Sequence, residues 1–306
     1  MFLSLSVKAI PETDSAFVET AIVLHTATGD IFGTLTTPKI FNNIPVALII
    51  AGSGPTDRNG NNPMMKNESL RMLAYKLVDN NIASLRFDKR AIAASQKAAK
   101  SEAELRFDDY VNDAKGWIGL LKTDKRFSKV VVIGHSEGSL IGMIASLSLA
   151  DAYVSIAGAG RSADKVLKEQ LAGQEQSIKD ISYTILDSLV MGKTVKNIPS
   201  SVFAWFRPSI QPYLISWFKY DPQTEIKKLN IPVLILQGTN DIQVTEADAH
   251  LLAKANVHAH LVLIKNMNHV FKIIEGDKQA NIDAYNNPAL PISTELANSI
   301  IAFIKK

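Results

Sequence analysis

The sequence predicts an α/β fold with a mostly parallel, doubly wound sheet. Residues 17–25 and 31–36 alternate apolar and polar positions around the turn Ala27-Thr28-Gly29-Asp30, which predicts an antiparallel hairpin at a sheet edge. Continuous apolar runs, typical of parallel strands covered on both faces, follow at 46–51, 82–87, 130–133, 153–157, 233–236 and 261–264. Helical spacing lies between them, at 69–79, 107–121, 140–149, 245–255 and 294–304. This alternation favours right-handed crossovers.

Length and composition narrow the class of protein. With 306 residues, 46% of them hydrophobic, the chain can form one large domain or two small ones with an ample core. The net charge of +3, without a dense Lys/Arg cluster, argues against nucleic-acid and membrane binding. The absence of cysteine excludes disulfides and thiolate chemistry. We expect no metal site, because no H-E-x-x-H motif occurs and loop 57–61 has its glycine too early for a calcium loop.

The sequence also yields expectations about location. Residues 1–8 have no basic region and only a short apolar stretch, which predicts neither a signal peptide nor an anchor. No apolar run approaches the ~18 residues that span a bilayer. We therefore expect a cytoplasmic protein, or a secreted or periplasmic one if a signal peptide has been removed, and the oligomeric state stays open.

Residues 161–228, called the cap segment below, interrupt the alternation of strands and helices. They contain no convincing strand: a helical pattern over 163–191 is followed by a segment rich in aromatic residues and proline. We interpret them as a helical lid inserted into an α/β core of residues 1–160 and 229–306. The alternative is a pair of ordinary crossover helices. Phe206 and Trp217 are the cap aromatics that we assign to substrate binding.

The strongest motif is Gly134-His135-Ser136-Glu137-Gly138, directly after the apolar run 130–133. A strand that ends in G-x-S-x-G and continues into a small, apolar helix exposes a nucleophilic serine at a tight turn. Ser136 is therefore the predicted nucleophile. His135 cannot fold back to its neighbour's hydroxyl, and we assign it to the substrate site instead.

A serine nucleophile needs a histidine base and a carboxylate to orient that base. Both groups must lie in loops at the carboxyl ends of other strands. Asp241 follows the run 233–236, and His269 follows 261–264. Asp57, Asp88 and Asp221 remain rivals for the acid. The other histidines fit the role of base less well: His25, His250, His258 and His260.

The oxyanion needs backbone N–H donors. The Glu137 amide is one candidate, and the loop at 51–60 should supply the second, from Gly54 or, next, Ser53. This loop lacks the G-x-G-x-x-G and G-K-[ST] patterns of phosphate-binding loops. Arg58 is either a loop brace, paired with Asp57, or a contact to a substrate carboxylate.

Together these motifs resemble the α/β-hydrolase superfamily, in its esterase/acyl-peptidase-like branch. The resemblance rests on Gly52 to Arg58 (Gly-Ser-Gly-Pro-x-Asp-Arg), Gly134 to Gly138, the cap segment and Leu236 to Asp241 (Leu-Gln-Gly-x-x-Asp). It implies the α/β-hydrolase fold and a serine hydrolase without cofactor, chiefly a carboxylesterase acting on small acyl esters. One departure is visible: such proteins often have Arg-Gly-x-Gly-x-Ser where this chain has Arg90-Ala91-Ile92-Ala93-Ala94-Ser95.

The predicted function is hydrolysis of a small ester or acyl substrate through an acyl-enzyme. The same catalytic residues also suit a serine peptidase of the acylaminoacyl type or a thioesterase. A small-molecule receptor on a hydrolase scaffold is a more distant alternative, which usually requires the loss of a catalytic residue, and none is lost here.

Overall fold

The computed structural model describes residues 16–306. The prediction that residues 1–8 are neither signal peptide nor anchor lies outside this range. Within it, no helix has the length and apolar character needed to cross a membrane.

The sheet has eight strands in the order β1-β2-β4-β3-β5-β6-β7-β8. The strands are β1 (Phe17–Thr26), β2 (Gly29–Pro38), β3 (Ile44–Ile50), β4 (Ala83–Phe87), β5 (Phe127–His135), β6 (Ala152–Ile156), β7 (Val233–Gly238) and β8 (His260–Ile264). β1 pairs antiparallel with β2, and β2 pairs antiparallel with β4, whereas all other neighbours are parallel. The predicted edge hairpin and parallel strands are therefore confirmed.

Helices connect the strands and cover both faces of the sheet. They are α1 (Ser69–Val78), α2 (Phe107–Thr123), α3 (Glu137–Ser146), α4 (Ala163–Leu171), α5 (Gln176–Val190), α6 (Phe203–Phe206), α7 (Gln211–Trp217), α8 (Pro222–Lys227), α9 (Glu246–Ala255), α10 (Lys278–Ala284) and α11 (Thr294–Lys305). Short 3₁₀ turns lie at Ala93–Ala98, Glu102–Glu104 and Ser200–Val202.

The continuous apolar runs of the central strands have a structural cause. Along β3, Val46, Leu48 and Ile50 belong to the hydrophobic cluster on the α2 and α3 side. The residues between them, Ala47 and Ile49, belong to the cluster on the α1 and α11 side. Both faces of the strand are buried, so every position must be apolar, as expected for parallel strands in a doubly wound sheet.

The cap segment contains α4 to α8 and no strand. It does not have a separate core: buried cap residues such as Leu186, Val202 and Phe206 belong to the same hydrophobic cluster as β3, β5 and α2. Burial of this apolar surface holds the cap segment against the carboxyl ends of the strands.

The loop after β4 carries the sequence departure noted above. Ala91 and Ala93 have φ values of 68° and 44°, in the region that favours glycine. The backbone of this loop thus has glycine-like conformations at alanine residues. An alanine in this region costs roughly 1–2 kcal/mol.

Replacing Ala93, which is exposed, with glycine should relieve this strain. We expect Ala93→Gly to raise the free energy of unfolding by about 0.5–1 kcal/mol, since the relief exceeds the greater entropy that glycine has in the unfolded chain. Urea unfolding measures the change. The control is Ala94→Gly: Ala94 is exposed and not among the positive-φ residues, so glycine there should lower stability. Equal changes in the free energy of unfolding for Ala93→Gly and Ala94→Gly would show that the backbone at Ala93 is not strained.

Candidate active site

Ser136 lies at the turn between β5 and α3 in a strained conformation, with φ 54° and ψ −121°. The turn is tight because its glycines leave no room for side chains. A Cβ on Gly134 would lie 2.2 Å from the Gly138 carbonyl oxygen, and a Cβ on Gly138 would lie 2.4 Å from the Ile50 carbonyl oxygen. Close packing of α3 on β3 therefore forces the positive φ at Ser136, as the motif predicts.

His269 and Asp241 lie together at the carboxyl ends of β8 and β7. The His269 Nδ1 is 2.8 Å from Asp241 Oδ2, and both side chains are almost fully buried. The Asp241 Oδ1 accepts hydrogen bonds from the amides of Gln243 (2.8 Å) and Val244 (3.0 Å). Burial acts to raise the pKa of Asp241, but His269 and these amides outweigh burial and lower it overall. Asp241 is therefore a charged carboxylate that orients the imidazole.

The loops that carry these two residues are bonded to each other. The Asn240 amide donates to the Met267 carbonyl at 3.0 Å. The Asn281 side chain bridges them, since its Nδ2 donates to the Asn240 carbonyl (2.7 Å) and its Oδ1 accepts from Asn268 Nδ2 (3.1 Å). This network fixes the separation of Asp241 and His269.

The rival aspartates have other partners. Asp57 accepts the amides of Asn59 and Asn61 at 2.8 and 2.9 Å. Asp88 pairs with Arg58, and Asp221 caps α8 by accepting from the Thr224 amide.

Arg58 is not among the residues that line the two cavities at Ser136. Its guanidinium binds Asp88 (2.7 Å) and Thr34 (3.0 Å), and its amide donates to Asp88 Oδ1 (2.8 Å). Arg58 is thus a loop brace, although its partner is Asp88 and not Asp57. The sequence could not show this pairing because it depends on the position of β4 between β2 and β3.

Ser136 lies on the walls of two cavities with different chemistry. The larger, about 460 Å³, lies under the cap segment and is mainly apolar, with Phe206 and Trp217 on its wall. The smaller, about 240 Å³, is more polar and is also lined by His269, His135, Thr56 and Ser69. The oxyanion candidates lie beside them: Ser53 lines both cavities, whereas Gly54 and Glu137 line the apolar one.

His135 is buried behind His269. Its Nε2 lies 3.0 Å from the His269 carbonyl oxygen, and since a carbonyl only accepts, Nε2 carries the proton. Its ring also packs edge-on against Phe271, with 4.8 Å between the ring centroids. Burial, then the neighbouring His269, lowers the pKa of His135 to about 3. His135 is therefore neutral and supports the His269 loop, besides lining the polar cavity.

One buried ionic network at the site was not predicted from the sequence. Lys89, after β4, pairs with the Glu137 side chain, with 2.8 Å between Nζ and Oε2. Tyr213 of the cap segment donates to the other Glu137 oxygen. Nothing in the sequence indicates that these three residues meet.

No protein-family profile matches this chain. It is similar to esterase EstD of Thermotoga maritima, with 29% identity over 253 residues that cover 80% of this chain and 58% of EstD. The chain thus spans less than two thirds of this relative's length.

Solved structures resemble the whole chain at low identity. They include Est1E from Butyrivibrio proteoclasticus with ferulic acid bound (TM-score 0.65, 16% identity, 94% of this chain and 100% of that chain). Another is XC6422 from Xanthomonas campestris, described as an α/β serine hydrolase without lid (TM-score 0.52, 16% identity, 94% of each chain). With the sheet order above, these likenesses show that the chain has the α/β-hydrolase fold.

The buried His135 should make stability depend on pH. Its folded-state pKa of about 3 lies below the ordinary 6.5, so between these values the unfolded chain binds a proton that the folded chain does not. This side chain should therefore lower stability as pH falls from 6.5 towards 3, by up to about 1.4 kcal/mol per pH unit.

Urea unfolding between pH 7 and 4.5 measures this slope. His135→Gln keeps a donor for the His269 carbonyl but cannot titrate. Its free energy of unfolding should therefore fall less steeply as pH decreases, by up to about 1.4 kcal/mol per pH unit. His250→Gln, at an exposed position on α9, is the matched histidine-to-glutamine control. Identical slopes for all three proteins would show that His135 does not titrate as proposed.

Proposed function

We propose that this protein is a serine hydrolase that cleaves carboxylic esters. The observation that carries the proposal is the His269–Asp241 pair, 2.8 Å apart, in which His269 lies on the same cavity wall as the strained Ser136. An imidazole oriented by a buried carboxylate is the base that a serine hydroxyl needs. The similarity to esterase EstD adds support.

In the proposed mechanism, His269 takes the proton of the Ser136 hydroxyl as Oγ attacks the ester carbonyl. The oxyanion accepts hydrogen bonds from the Glu137 amide and from an amide of the Ser53-Gly54 segment. Glu137 is the first residue of α3, so its N–H has no acceptor within the helix. His269 then gives the proton to the leaving alcohol, and water attacks the acyl-enzyme in the same way.

The apolar cavity favours substrates with an uncharged acyl or alcohol group. Both arginines on its wall are neutralised: Arg161 pairs with Asp248 and Glu169, and Arg207 pairs with Glu102. A peptidase would need a free charge here to bind a peptide terminus, and Arg58, the residue predicted for that role, is bound to Asp88. Ester hydrolysis is therefore favoured over peptide hydrolysis.

Ser136→Ala should lower kcat for p-nitrophenyl butyrate by roughly 10³–10⁶, because the nucleophile is lost. Asp241→Asn should lower it by about 10⁴, since the imidazole is then held in the wrong tautomer. A fluorophosphonate probe should label the unsubstituted protein and leave Ser136→Ala unlabelled. A folded Ser136→Ala protein with unchanged activity would refute the proposal.

The apolar cavity should also set acyl preference. The kcat/KM for p-nitrophenyl esters should rise from acetate towards octanoate, by up to about fourfold per methylene group buried. Val166→Phe places a ring on the cavity wall and should lower kcat/KM for octanoate about tenfold more than for acetate. Val257→Phe, at a position 79% exposed, is the control. If Val166→Phe kept the same preference for octanoate over acetate, the acyl group would have to bind outside this cavity.

A further inference from the structure

Lys89 connects the two backbone segments from which the oxyanion donors are proposed to come. Its Nζ donates to the Gly52 carbonyl oxygen at 2.6 Å and to Glu137 Oε2 at 2.8 Å. The Lys89 and Glu137 side chains are each 2% exposed. The ammonium also lies 5.1 Å from the centroid of the Tyr110 ring. A cation buried to this degree with a backbone carbonyl as ligand holds that peptide group in one orientation.

The peptide group that Lys89 holds joins Gly52 to Ser53. In a planar trans peptide, the carbonyl and the N–H point in opposite directions. With its oxygen bound to the buried ammonium, the group turns the Ser53 N–H away from Lys89. Gly52 itself lies against the nucleophile, because a Cβ built on it would be 3.2 Å from Ser136 Cβ. Within residues 16–306, no protein acceptor is paired with the Ser53 N–H.

We propose that Lys89 is a positioning residue that aims the Ser53 amide at the oxyanion, and that Tyr213 of the cap segment completes this support by holding Glu137. The inference rests on the proposed serine hydrolase function and selects Ser53 over Gly54 as the second donor. It also gives the Glu137 side chain a role besides that of its amide: the carboxylate anchors the ammonium that fixes the neighbouring loop.

Tyr213 reaches this network from α7. Its hydroxyl donates to Glu137 Oε1, and it lines the apolar cavity. Burial, then the Glu137 charge, raises the pKa of Tyr213 well above its ordinary value, so the phenol stays protonated as a donor. The cap segment thereby acts on the oxyanion loop through two side chains, Glu137 and Lys89.

The structure offers a variant that separates Ser53 from Gly54. The next peptide group, Ser53 to Gly54, has its carbonyl held by the Thr56 hydroxyl at 2.8 Å. Thr56 therefore orients the Gly54 N–H in the same way that Lys89 orients the Ser53 N–H: each side chain binds the carbonyl oxygen of the same peptide group. If Gly54 were the donor, loss of the Thr56 hydroxyl would harm catalysis more than loss of the Lys89 ammonium.

The test compares Lys89→Met, Lys89→Met/Glu137→Gln, Thr56→Val and Tyr213→Phe with the unsubstituted protein. The double variant avoids leaving a buried carboxylate without its cation and serves if the single variant does not fold. Asp113→Asn on α2, which removes a buried ion pair with Arg90, is the control and should keep kcat. Competent sites are counted by fluorophosphonate titration, so that kcat refers to folded active sites.

We expect the Lys89 variants to lose about 10²–10³ in kcat, as when one oxyanion donor is removed, with KM for p-nitrophenyl butyrate within about threefold. The inhibition constant of an alkyl trifluoromethyl ketone, which forms an oxyanion on the serine, should rise by a similar factor. Tyr213→Phe should show a smaller loss of kcat in the same direction, and Thr56→Val a smaller loss than the Lys89 variants.

Three results would overturn this inference: a Lys89 double variant with kcat within about threefold of the unsubstituted protein, a loss of kcat without weaker ketone binding, or a larger loss in Thr56→Val. If the unsubstituted protein is not labelled by the fluorophosphonate, the proposed function fails and this inference fails with it. Labelling of the unsubstituted protein together with unaffected Lys89 variants rejects the inference alone.

Discussion

The geometry of the site depends on one contact, between the first turn of α3 and the carboxyl end of β3. A Cβ on Gly138 would lie 2.4 and 2.5 Å from the carbonyl oxygens of Ile50 and Ala51, so the helix reaches the strand only because this position has no side chain. This approach sharpens the turn after β5 and holds Ser136 at positive φ. It also brings Gly52 beside Ser136, so one packing contact places the proposed nucleophile and the proposed oxyanion loop together.

The parallel sheet supplies the remaining groups. β3, β5, β7 and β8 all run in one direction, so the loops after them meet at one edge of the sheet. Burial there would favour a protonated Asp241, but the hydrogen bonds from two amides and the imidazole keep it charged. The fold therefore provides both the position of Asp241 and the hydrogen-bond donors that keep its carboxylate charged.

The sequence predicted the parts of this structure that depend on local pattern. The strands followed from apolar runs buried on both faces, and Asp241 and His269 were located because each directly follows such a run. Residues whose roles depend on strand order or on distant partners were not predictable. The Asp88 partner of Arg58 follows β4, and only the sheet order shows that β4 lies beside β2. The positive φ of Ala91 and Ala93 is likewise invisible, since alanine does not indicate such a conformation.

The same limit explains why the sequence did not single out Lys89. A lysine after a strand is usually solvated, but the burial of Lys89 depends on Glu137 from α3 and on Tyr213 from the cap segment. Glu137 lies 48 residues away along the chain, and Tyr213 lies farther still. Under the proposed function, the cap segment is therefore more than a substrate lid. Tyr213 forms part of the apolar wall and also binds the carboxylate that holds Lys89. Under the proposed mechanism, a change in the cap that alters substrate fit at Tyr213 must also alter the support of the oxyanion loop, so substrate preference and kcat are physically coupled.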